Sequence, residues 1–173
     1  MLEKKVASMT GQSAQESAQN SSTSRRAASS QTPGFPAKFW ALNHLQTHAP
    51  EGGAIAFVGF VNMPSGETYA WQSETNITDL LASDWSASHA RLSALAHPVR
   101  MTILKALLDG KRDTQSLQAL PDMGTTGQLY HHLKELENAG WIRQPRRGEY
   151  NVLAERVVPL LTILAACEIS KRT

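Results

Sequence analysis

Tyr130, His131 and Lys134 share one side of a stretch whose other side is Leu129, Leu133, Leu136 and Ala139, the three-and-four spacing of an amphipathic helix. That polar side also carries Gly127, and it offers a phenol, an imidazole and an ammonium group. This is hydrogen-bonding and charge chemistry, suited to base edges and phosphates rather than to making or breaking bonds. A few residues on, Pro145-Arg146-Arg147-Gly148 places two guanidinium groups in a turn between two strand-like runs. A basic hairpin directly after such a helix is placed to grip phosphates or a neighbouring minor groove.

Other chemistries find little support. His131 and His132 are adjacent, and neighbouring helical residues point about 100° apart, which does not suit chelation of one ion. His132 is expected to be half-buried. Cys167 is the only cysteine, so neither an internal disulfide nor a zinc-type spacing is available, and a reducing compartment fits. No glycine-rich phosphate loop, nucleophile elbow or metal-binding helix signature occurs, and the carboxylates are scattered. No enzyme activity, metal or cofactor is expected.

The elements that must position the polar face run from Trp85 onward in the order helix, helix, short helix, turn, helix, hairpin, apolar helix. Leu92, Leu95 and Ala96 are expected to face inward on the first helix, which His97-Pro98 breaks. Val99, Ile103, Leu104, Leu107 and Leu108 continue the core stripe until Asp109-Gly110 closes the second helix. Asp113 can cap a short helix through Leu117 and Leu120, followed by the turn Pro121-Asp122-Met123-Gly124. Thr125 or Thr126 caps the next helix and Gly140 ends it. Two helices joined by a short turn, with the N-terminus of the second free, form a geometry that fits a DNA major groove.

Upstream, residues 1–34 are dominated by Ser, Gln, Ala and Thr without an aromatic residue, which predicts a disordered tail in which Arg25 and Arg26 are solvated. Residues 35–84 predict an accessory unit: one helix ending by His48 to Pro50, then the hairpin Ala54–Val61 and Thr68–Gln72 about the turn Pro64-Ser65-Gly66-Glu67. Thr78 and Asp84 are the expected caps of the helices that follow. Eight aromatic residues lie between Phe35 and Trp85, so this unit has its own packing material for dimerisation or docking. A sharper reading makes Phe57, Phe60, Tyr69 and Trp71 the walls of a pocket for an apolar small-molecule effector.

Charge separates the two halves. Residues 35–90 hold one basic residue against five acidic ones, and residues 91–173 hold twelve basic against eight acidic, so the phosphate-seeking charge is C-terminal. No window approaches the roughly 20 apolar residues of a membrane span, and a cytoplasmic protein without membrane partners is expected.

These residues carry a family resemblance. Arg91-Leu-Ser-Ala-Leu-Ala-His-Pro-Val-Arg100 resembles the LxALxHPxR segment of ArsR-like winged helix-turn-helix regulators. Gly124-Thr-Thr-Gly-Gln-Leu-Tyr-His-His-Leu-Lys134, with Leu136 and Ala139-Gly140-Trp141-Ile142, resembles their recognition helix and the start of their wing. The resemblance spans roughly residues 85–170. It implies a mainly α fold with a small β component, a winged helix-turn-helix over 85–173, preceded by the helix and hairpin unit and the disordered tail.

It further implies that Thr126, Gly127, Gln128, Tyr130 and His131 lie where the family reads bases or nearby phosphates, with Thr125 capping the helix. Arg146 and Arg147 would be wing contacts, and Val157, Val158, Leu161, Leu164 and Ile169 would join a dimer-forming last helix. The metal ligands of the family's sensors are absent: Thr114–Leu120 holds no cysteine pair, and residues 154–170 hold Cys167 as the only thiol and no histidine. The expectation is a homodimeric repressor that binds double-stranded DNA without the family's usual metal sites. The alternatives are a winged helix used as a protein-interaction module, or a repressor switched by an apolar effector at the hairpin unit.

Overall fold

The computed structural model describes residues 36–168, and these belong to one compact unit. The tail expected over 1–34, with Arg25 and Arg26, and the dimer candidate Ile169 lie outside the described residues. The architecture is mixed α and β, with helix predominating and two separate antiparallel hairpins.

A 3-10 turn at Ala37–Phe39 leads into α1 (Trp40–His48). Strands β1 (Ala54–Asn62) and β2 (Thr68–Asn76) pair antiparallel over their full length, from Ala54 opposite Asn76 to Asn62 opposite Thr68. Both are longer than their apolar runs suggest: at the turn end Thr68 donates to Asn62 Oδ1 at 2.8 Å and closes the last rung, and at the other end Ser73–Asn76 pair with Phe57–Ala54. Helix α2 (Ile77–Ala82) is capped by Asn76, whose side chain accepts from the Thr78 amide, and not by Thr78 as expected. The hairpin runs straight into this helix, which leaves the last strand residue in the capping position. Asp84 does bond the Ser86 amide, at 2.9 Å, where α3 (Ser86–Leu95) begins.

The expected inward stripe of α3 is corrected. Ala94 is buried, Leu95 half-buried, and Leu92 stands 55% exposed, with Ala96 exposed beyond it. A helix with no broad apolar face docks through its C-terminal turn alone. That end is held by Arg100, whose guanidinium donates to the carbonyls of Ala94 at 2.6 Å and Ser93 at 2.8 Å, and by the Trp141 indole N–H on the Arg91 carbonyl.

Helix α4 (Pro98–Leu108) opens at the predicted break, with Pro98 in its first turn and His97 Nδ1 accepting from the Val99 amide. Ile103, Leu104 and Leu107 are buried along it. Asp113 caps α5 (Thr114–Gln118), and the following turn places Asp122 at φ 58° and Gly124 at φ 72°. Gln118 ties that turn by donating to the Gly124 carbonyl, while Met123 plugs the core at 3% exposure.

Helix α6 (Thr126–Asn138) buries Leu129, Leu133 and Leu136 as its spacing requires. Strands β3 (Ile142–Arg146) and β4 (Glu149–Val152) follow, their register shifting around Pro145, which lacks the N–H for a ladder bond. Residues 112–114 add to the outer edge of β4: the Tyr150 amide donates to the Arg112 carbonyl and the Thr114 amide to the Gly148 carbonyl. Helix α7 (Ala154–Glu168) completes the unit and packs against both β1 and β2.

The docking of α7 corrects two expected dimer residues. Val157 and Val158 are 0% and 2% exposed, and Val158 lies over Gly59 of β1 with no room for a Cβ between them. The chain's own hairpin therefore covers this part of the helix. At the other end of the hairpin, Glu67 pairs with Arg112 and accepts from the Ser65 hydroxyl at 2.6 Å. The Ser65 hydroxyl and then Arg112 hold the Glu67 carboxyl below its usual range, and Glu67 raises Arg112.

A candidate nucleic-acid interface

The N-terminus of α6 is fixed by a capping box. The Thr125 hydroxyl accepts from the Gln128 amide, while Gln128 Oε1 accepts from the Thr125 amide at 2.7 Å. Two of the four unpaired amides of a helix start are thereby satisfied, and Thr125 plays the expected role. Gln128 is exposed, and its side-chain oxygen is committed to the cap, because a glutamine three residues beyond a threonine cap closes this reciprocal bond.

Past the cap, Thr126, Gly127, Tyr130, His131 and Lys134 are all exposed, and the Tyr130 ring is 47% accessible. The leucine face opposite is fully buried, so the helix cannot turn these groups inward. A Cβ at Gly127 would meet nothing nearer than the Thr125 hydroxyl at 3.9 Å, so the backbone is open there. His132, beside them, is half-buried as expected, with its ring 4.7 Å from His97 and 5.6 Å from His131. Burial lowers its pKa, and His97, His131 and Arg100 lower it further.

Arg146 and Arg147 stand exposed at the tip of the β3–β4 hairpin. Arg146 lies 3.9 Å from Glu149, a surface pair with little energy to hold it. The hairpin is anchored beside α6 through Tyr150, 5% exposed, whose hydroxyl accepts from Gln144 and whose pKa burial raises, with Glu137 and Tyr130 adding to the effect.

Of the four proposed effector walls, three share a face and the fourth does not. Strand alternation puts Phe57, Trp71 and Tyr69 on one face of the first hairpin and Phe60 on the other, where it is 72% exposed. Phe57 and Tyr69 are half-buried. Of the dimer candidates, Leu161 and Leu164 remain half-buried and border an apolar groove with Met101, Thr102, Lys105 and Leu108.

Among the described residues no three His, Cys, Asp or Glu side chains are placed to hold a metal ion, and no helix is long and apolar enough to cross a membrane. Arg143, Asn151, Arg112 and Glu67, from three separated segments that share no motif, line one cleft that the sequence does not announce. Comparison with protein-family models, curated proteins and solved structures finds no match.

Proposed function

We propose that the protein is a sequence-specific DNA-binding regulator of the winged helix-turn-helix, ArsR-like kind, acting as a homodimeric repressor without the family's metal sites. The observation that carries this is the capped N-terminal half of α6, with Thr126, Gly127, Tyr130, His131 and Lys134 exposed beside a hairpin tipped by Arg146 and Arg147. In this reading α5 and α6 are the helix-turn-helix, α6 enters the major groove, and β3–β4 is the wing on the flanking phosphates. Tyr130 and His131 read base edges, while Lys134 and the arginines hold the backbone.

Dimerisation would join the groove at Leu161 and Leu164 with the open side of α3, where Trp85 and Leu92 are 62% and 55% exposed. Apolar surface left this open on a small unit marks a contact surface. A two-fold dimer would place two copies of α6 about one helical turn of DNA apart.

Selection of bound duplexes from a random-sequence library tests the proposal. Enrichment of a pseudo-palindrome, lost in the Tyr130→Ala, His131→Ala double variant, supports it. A bound pool indistinguishable from the input contradicts it. A second reading, a winged helix that docks a protein partner, draws on the exposed Val58 and Phe60 of the first hairpin, and it predicts that same unselected pool.

A further inference from the structure

The tip of the first hairpin, α4, the base of the second hairpin and the start of α7 enclose a cleft of about 140 Å³. Its apolar side is Met63, Leu107, Leu108 and Val152, and its polar side is Tyr69, Glu67, Arg112, Arg143 and Asn151. Three observations give this cleft its chemical character. First, it holds two guanidinium groups against one carboxylate, and that carboxylate is already paired with Arg112, so Arg143 supplies a surplus positive charge. Second, Ala154, the first residue of the fifteen-residue helix α7, lines it, so the start of a helix, with Glu155 in its first turn, borders the cleft. Third, Asn151 Oδ1 is buried without a hydrogen-bond partner, directly across the ladder from Arg143. A buried unpaired acceptor costs free energy that a bound hydrogen-bond donor, such as a hydroxyl or a water, would recover.

We propose that this cleft is a binding site for a small amphipathic carboxylic acid. Its carboxylate meets Arg143, a hydroxyl or a bridging water satisfies Asn151, and its hydrocarbon lies on Met63, Leu108 and Val152. The cleft falls below the roughly 300–1,000 Å³ of drug-sized sites, which limits the ligand to a short chain or a single ring. It is distinct from the apolar pocket expected among Phe57, Phe60, Tyr69 and Trp71, sharing only Tyr69 with it. The site does not depend on DNA binding, since its residues lie outside α6 and the tip of the second hairpin.

Such a ligand would bridge the two hairpins. Met63, Glu67 and Tyr69 come from the first, and Arg143, Asn151 and Val152 from the second.

The test is titration of the full chain with benzoate and with hexanoate, against benzyl alcohol and hexanol as neutral counterparts, followed by methyl and amide NMR. The expected result is saturable shifts at Met63, Tyr69, Asn151 and Val152 near about 1 mM acid, with the alcohols at least about tenfold weaker. Arg143→Gln, at an exposed position whose loss leaves the core intact, should weaken the acids about tenfold and leave the alcohols unchanged. Absence of shifts at those residues overturns the proposal. So does equal binding of acid and alcohol, or binding of the acids unaffected in Arg143→Gln.

Discussion

His132 sits among groups of its own sign. His97 and His131 flank its ring and Arg100 lies near, while Glu135 alone opposes them, and its Nδ1 is buried without a partner. The folded chain therefore binds a proton at His132 less readily than the unfolded chain does. A lowered folded pKa contributes stability that is full above the unfolded value, about 6.5, and is lost as pH falls from there through the folded value. Urea midpoints of the wild type should drop between pH 7.5 and 5.5, and those of His132→Leu should drop less. Equal slopes would show that the burial of this ring does not matter energetically. The half-buried state of His132 was legible in the sequence, because it follows the outward His131 by one helical step of about 100°. Its partner His97 was not, because it belongs to the break between α3 and α4 and reaches α6 only through the fold.

At the scale of elements, what can be read depends on whether a segment carries its own boundary signals. Helix α6 was legible from Thr125, its leucine stripe and Gly140, and the first hairpin from its turn chemistry. Helix α3 was misjudged at Leu92, because an element with no broad apolar face does not announce which turn will dock. Helix α7 posed a different problem. Its apolar length demands a cover, and sequence does not say whether another chain or the same one supplies it. The answer is the chain itself: Val157 joins the main core, and Val158 packs on β1, where Gly59 permits the approach. A Cβ at position 59 would fall 2.5 Å from Val158 Cγ1. Gly59→Ala should therefore cost about 1–3 kcal/mol in denaturant unfolding, as overpacked sites do. Adding Val158→Ala should recover part of that loss. A neutral Gly59→Ala would mean that the hairpin and α7 are less closely packed than described.

The molecule as a whole joins an acidic, aromatic hairpin unit to a basic helical half through α7 and through the Glu67–Arg112 pair. Apolar surface stays open on the first hairpin at Val58 and Phe60, and also at α3 and beside Leu161 and Leu164; the proposed dimer uses the last two, so its association should depend on those residues and not on Val157 or Val158. Leu161→Glu with Leu164→Glu should yield a folded monomer by sedimentation, with the thermal transition retained. An unchanged sedimentation coefficient would place the dimer elsewhere or remove it.

In the proposed function, charge at the second hairpin and at α6 meets phosphates. Binding of the selected duplex, followed by fluorescence anisotropy from about 50 to 200 mM salt, tests it most directly. Log affinity should fall steeply and linearly with log salt, with a slope made shallower by roughly one for each phosphate contact removed in Arg146→Gln and Arg147→Gln. A salt-independent affinity, or a slope identical in wild type and both variants, would contradict it.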